Sequence, residues 1–140
     1  MGMKKEDKDL LLKDICGRLP YGVKVESVFI NPDTKEYKSC GIEVFDATSI
    51  LMIKDGLGEF KPYLFPLSSM TEEQREELYK IGWYLDEDKI YSCFRNYDDV
   101  NYKTHIDCFE LINWCYKNNF DINGLIPMGL AIDATDKNIY

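Results

Sequence analysis

The chain has 140 residues, 45% of them hydrophobic, with ten tyrosines and seven phenylalanines; that is too apolar and aromatic for an intrinsically disordered chain and enough to bury about two thirds of the unfolded surface. Its net charge of −8 leaves no clustered Lys and Arg for a phosphate backbone, so nucleic-acid binding is not expected. No apolar run approaches the length of about 18 residues that a membrane span requires, and the start "MGMKKEDKDLLLKDIC" has no secretory h-region, so the expectation is a cytoplasmic protein.

Along the chain, the spacing of Leu11, Leu12 and Ile15 predicts a helix over 5–16, with Gly17 at its C-terminal cap and Pro20 beyond it. "VKVESVFI" (23–30) alternates as a strand does, and Asn31-Pro32-Asp33-Thr34 is a turn in which proline fixes φ and Asn and Asp bond nearby backbone. A second strand is expected over 37–45, a break at Asp46-Ala47-Thr48, a third strand in "SILMIK" (49–54) and a hairpin turn at Asp55-Gly56-Leu57-Gly58. Four short strands on tight turns point to a small, curled antiparallel sheet over 22–61, of the SH3-like or barrel-like kind.

"KPYLFPLSSMTEEQ" (61–74) then leaves the sheet. Pro62 and Pro66 bias Lys61 and Phe65 toward extended backbone, so the segment reads as a stiff apolar strap, with Leu64 inward and one of Tyr63 or Phe65 partly exposed. Thr71 with Gln74 three positions on is a capping box for a helix over 72–82, and Glu72 and Glu73 suit the positive end of its dipole. "WYLDEDKIYSCF" reads as a hairpin turning at 86–89 and continuing to Phe94. A third helix over 104–118 carries Ile106, Phe109, Ile112, Cys115 and Tyr116 as its apolar stripe and ends at Asn118-Asn119. Gly124, Pro127 and Gly129 break the tail into a short strand or irregular strap. The whole is expected as one α+β domain, 1–140, with the sheet packed by an N-terminal helix and two further helices.

Chemistry has little to stand on. The five cysteines, Cys16, Cys40, Cys93, Cys108 and Cys115, are odd in number and contain no C-x-x-C pair, so neither a disulfide framework nor a zinc site has its usual spacing. The acidic loop "DEDKIYSCFRNY" lacks the later ligands of a calcium loop. His105, the only histidine, stands in the first turn of the third helix without a flanking motif, and Asp86, Asp88, Asp98 and Asp99 fall in polar connections where carboxylates stay solvated. No phosphate-loop, dinucleotide-binding or hydrolase motif is present. The expectation is a protein that is not an enzyme and needs no metal and no cofactor.

Three blocks, "LLLKDICGRLPYGVKV", "KPYLFPLSSMTEEQ" and "NNFDINGLIPMGLAIDA" with the terminal "NIY", resemble a family of small proteins encoded in gut Bacteroidales genomes and in their phages and mobile elements. The resemblance carries no reaction, cofactor or catalytic residue; it implies a bacterial or phage cytoplasmic protein with an accessory role. Residues 30–60 and 83–105 contribute little to it.

The functional expectation is a protein-interaction module whose aromatic and acidic surface uses Tyr63, Phe65, Trp83 and Tyr84. The alternative is a small-ligand binder with a pocket between the sheet and the C-terminal helix.

Overall fold

The computed structural model describes residues 4–93 and 109–140. In chain order the elements are α1 (Lys5–Arg18), β1 (Lys24–Ile30), β2 (Tyr37–Val44), α2 (Ala47–Lys54), β3 (Gly58–Leu64), α3 (Glu72–Lys80), β4 (Trp83–Asp86), β5 (Lys89–Ser92), a helix over 109–117 (α4) and β6 (Ile132–Asp133). The fold is α+β. Two compact units divide the chain: Met1–Leu64 with Asn123–Tyr140, and Phe65–Ile122.

In the first unit, α1 runs past Gly17 because Arg18 reaches back one turn to Asp14, with Nε donating to Oδ1 at 2.6 Å and Nη2 to Oδ2 at 3.1 Å. A 3-10 turn over Leu19–Tyr21 accommodates Pro20, and Gly22, at φ +71°, is the left-handed residue that ends the helical path. Leu11 and Ile15 bury the inner face of α1.

Strand β1 pairs antiparallel with β2 on one side and with β3 on the other, and β6 pairs parallel to the end of β3. The order is β2-β1-β3-β6, an open sheet, so the barrel-like closure expected from the strand count does not form. The two outer strands, β2 and β6, do not pair with each other, and the strand expected after β2 is absent from the sheet. "SILMIK" belongs to α2, whose start is fixed by Asp46: its Oδ1 accepts from the Ser49 amide at 3.1 Å, while the Ser49 hydroxyl accepts from the Asp46 amide at 3.2 Å. The reciprocal cap overrides the β-propensity of Ile50 and Ile53, and Gly56, at φ +71°, closes a helix end rather than a hairpin. Val23, Val25, Phe45, Phe60, Leu64 and Leu125 form this unit's core, with Phe45 and Phe60 edge to face at 5.7 Å.

The apolar strap is therefore mostly strand. Pro62 lies opposite Val25, Leu64 is fully buried, and Pro66 stands at the start of a 3-10 turn over Leu67–Ser69. In the second unit the Phe65 amide donates to the Asn119 carbonyl and its carbonyl accepts from the Asp121 amide, so the residue after Leu64 is held as firmly by backbone as the residues before it.

Thr71 caps α3 as the spacing predicts: Oγ1 accepts from the Gln74 amide at 3.1 Å, and Gln74 Oε1 accepts from the Thr71 amide at 2.9 Å. Thr71→Ala is expected to cost about 0.5–2 kcal/mol of stability, read as a lower urea midpoint with an unchanged slope. β4 and β5 form the expected hairpin, turning at Glu87 and Asp88 with Glu87 at φ +58°, the left-handed backbone that two-residue hairpin loops demand. On α4 the core residues are Leu111 and Cys115, whereas Phe109 and Ile112 are exposed, a different phase from the expected stripe. Asn119 ends that helix at φ +61°. Trp114 stacks on Phe120 at 5.5 Å and donates to Glu77 at 3.2 Å. Phe94, Asp98, Asp99, His105, Ile106 and Cys108 lie outside the described residues.

Candidate functional site

The first unit offers three features beyond its core: an ion pair sealed inside it, a small cavity, and a bare sheet edge.

The ion pair is Asp14–Arg18, both essentially without solvent exposure. Asn123 donates to the second carboxylate oxygen at 2.7 Å, so the tail segment closes over α1 at this point. Nearby, Tyr140 works as a latch. Its hydroxyl accepts from the Lys24 amide at 2.9 Å and donates to the Tyr63 carbonyl at 2.8 Å, while Lys24 Nζ donates to the Ile139 carbonyl at 2.7 Å. Burial pushes the Tyr140 phenol above its ordinary 10.0, against the opposing pull of the Lys24 amide and Arg18. Burial likewise raises Tyr63, helped by the charge of Glu26 and a hydrogen bond to it. A phenol with a raised folded-state value contributes stability that is complete below about pH 10 and is lost as pH climbs through that higher value. The melting temperature is accordingly expected to fall as pH rises above about 10, and Tyr140→Phe to blunt the fall; an identical alkaline profile for the variant would contradict a latch at Tyr140.

The cavity has a volume of about 260 Å³ and is lined by residues of α1, the end of β1, and the α2–β3 passage. The buried Leu11, Gly58 and Phe60 form part of its lining, with the exposed Lys8, Asp9 and Glu59 beside them. The pocket expected between the sheet and the C-terminal helix is not this one: α4 contributes no residue to it.

The edge is β2. It is outermost in the sheet, and all eight of its residues are exposed, including Tyr37 at 60%, Ile42 at 54% and Val44 at 53%. An extra residue, Cys40, sits in β2 where the register with β1 passes from Ser27 opposite Gly41 to Val28 opposite Ser39. Gly41 takes φ +81° beside this bulge, with open space where a Cβ would stand.

The four aromatic residues expected to make a contact surface are placed differently. Tyr63 (7% exposed) belongs to the first unit, and Trp83 (8% exposed) belongs to the second. Phe65 and Tyr84, both half-buried, are also in the second unit, where Tyr84 stacks on Tyr91 at 5.6 Å. Tyr63 and Trp83 therefore spend their rings on packing and offer little area to a partner. Among the described cysteines Cys16 and Cys40 are exposed and Cys115 is buried. Burial raises the Cys93 thiol, which favours the protonated form and works against nucleophilic use. Among the described residues no three His, Cys, Asp or Glu side chains gather where a metal ion would sit, and no helix is long and apolar enough to cross a membrane.

Two of these features had a signal in the sequence. Asp14 and Arg18 are four apart on a helix beside Ile15, the spacing of an ion pair on one face. "YKSCGIEV" mixes Lys, Ser, Gly and Glu with three large apolar residues, a composition that suits an edge and not a centre. No protein-family model, curated protein or solved structure matches the chain.

Proposed function

We propose that the protein is an interaction module whose contact element is the outer edge of β2, which accepts an extended segment by strand addition. One observation carries this: the outermost strand of the sheet is exposed at every one of its eight positions. Such an edge presents backbone donors and acceptors to a partner strand, and the side chains of Tyr37, Ile42 and Val44 add apolar contact. Natural sheets generally blunt an edge of this length with charge or a bulge. β2 has both in small measure, with Lys38, Glu43 and the extra residue Cys40, yet keeps three exposed apolar side chains.

The test is a photo-crosslinking amino acid placed at position 42 in cells that make the protein, with position 79 on α3, where Tyr79 is 66% exposed, as the control. A discrete adduct from 42 that is absent from 79 supports the edge. No adduct from 42, or the same adducts from both, overturns it.

A second reading, a binder of a small apolar ligand, is favoured by the cavity beside α1. Its volume of about 260 Å³ is near the lower end of ligand sites, which run from roughly 300 Å³ upward. Leu12→Trp would fill it, and loss of all ligand-induced thermal stabilisation in that variant is the result expected of a true site.

A further inference from the structure

We infer that the strand added to β2 is β2 of a second copy of this chain, in an antiparallel, two-fold register centred on Gly41. This rests on the edge reading above and names its partner.

The register follows from the faces of β2. Opposite residues on paired strands share a face, so the pairing with β1 assigns each position. Val44, Ile42, Ser39 and Tyr37 share a face with Lys24, Glu26, Val28 and Ile30; Glu43, Gly41 and Lys38 share the other with Val25, Ser27 and Phe29. A two-fold axis through an antiparallel pair of identical strands must pass midway between a residue and its own copy, because any other register would set opposite faces against each other. For a regular strand this forbids Lys38 from meeting Glu43, since an odd number of peptide steps separates them. The extra residue Cys40 removes that prohibition. With Cys40 bulged out of the count, Gly41 becomes the midpoint of the strand. Ser39 then lies opposite Ile42, Lys38 opposite Glu43 and Tyr37 opposite Val44, each pair on one face and each occurring twice.

The pairs that result are complementary. Two Lys38–Glu43 rungs join opposite charges across the axis, and two Tyr37–Val44 rungs join an aromatic to a β-branched side chain, both favourable cross-strand combinations. At the axis itself Gly41 has no side chain, and open space surrounds the place where one would be. β2 contains one Lys and one Glu and no other charged residue, so the contact is locally neutral in a chain of net charge −8. The exposed Ile42 and Val44 of the two copies would extend one apolar stripe across both sheets.

An edge of eight residues is smaller than a standard protein interface, so the dimer should be weak, with a dissociation constant in roughly the micromolar to millimolar range. Sedimentation of the purified full chain over that concentration range should show a monomer–dimer equilibrium. Lys38→Glu and Glu43→Lys each set like charges against each other at two rungs and should each weaken it by about tenfold or more. In an equimolar mixture of the two variants, a heterodimer sets the two acids of one edge against the two lysines of the other, with one opposite-charge pair at each rung. Mixing should therefore restore association. Neither substitution touches the core, so folding is retained, as circular dichroism can verify. A protein monomeric up to about millimolar concentration, or a dimer indifferent to both variants, overturns self-pairing, as does a mixture no more associated than its components. If self-pairing fails while the crosslink from position 42 still joins a different chain, the edge reading stands and only its partner is wrong; if that crosslink is also absent, both fall.

Discussion

Asp14→Ala should lower the unfolding free energy by about 3–5 kcal/mol, the cost of removing one partner from a buried ion pair. The guanidinium of Arg18 has no solvent exposure, and the carboxylate that faces it through two hydrogen bonds is equally buried. Deleting the carboxylate strips the buried cation of the opposite charge and the two hydrogen bonds that Asp14 supplies, and deprives Asn123 of the acceptor that joins the tail segment to α1. The comparison that separates this cause from simple loss of packing is the double variant Asp14→Leu/Arg18→Met. With both charges gone no ion is stranded, so the double variant should be more stable than Asp14→Ala although it departs further from the native sequence. Urea unfolding of the three proteins decides the matter. A loss of less than about 1 kcal/mol for the single variant, or a double variant less stable than the single, contradicts the role assigned to the pair.

The parts of the fold that were legible in the sequence are those specified by local chemistry. The Thr71–Gln74 capping box appears with both hydrogen bonds, the hairpin turns at the two residues between Asp86 and Lys89, and Asn31 closes its turn by accepting from the amides of Asp33 and Thr34. Each is a contact between residues three or fewer apart, so a short window contains all the information. The same window misleads at α2 for a definable reason. Ile50, Leu51, Met52 and Ile53 are a continuous apolar run, which has no period to distinguish helix from strand, and the deciding residue, Asp46, reads as a break unless Ser49 is recognised as its reciprocal partner. With that segment helical the sheet still reaches four strands by taking β6 from the tail, but β2 and β6 remain unpaired edges and no barrel forms.

Exposure was the least legible property, because it depends on what else lies against each element. Trp83 and Tyr63 have the composition of a contact surface, yet a Trp at the start of a hairpin and a Tyr near the end of a central strand are used for packing. β2, conversely, was recognisable as a strand, but only its place at the end of the order β2-β1-β3-β6 turns eight ordinary residues into an edge. The bulge at Cys40 is a pairing property, visible only when Ser27 and Val28 are set against Gly41 and Ser39. The register proposed for two copies of β2 depends on that one residue, which is why the charge pattern of "YKSCGIEV" taken alone does not announce it.

Leu64→Ala should cost about 2–5 kcal/mol, the range for emptying a buried leucine site. Leu64 has no exposed surface and packs in the cluster that contains Ile15, Val25 and Phe60. It also lies at the C-terminal end of β3, where its carbonyl accepts from the Ala134 amide at 2.8 Å and its position faces Asp133 of β6. The backbone bond survives truncation, so the loss is one of burial and of the void left behind. The upper half of the range is expected, because a strand held by β1 on one side and β6 on the other has little freedom to collapse into that void. Tyr37→Ala is the matched control: a larger side chain, equally part of a strand, but 60% exposed at the edge, and its removal should change stability by no more than about 0.5 kcal/mol. If strand membership alone set the cost, the two variants would be alike. If burial sets it, Leu64→Ala melts well below the parent while Tyr37→Ala melts with it, and a thermally silent Leu64→Ala would show that "KPYLFPL" does not anchor the sheet.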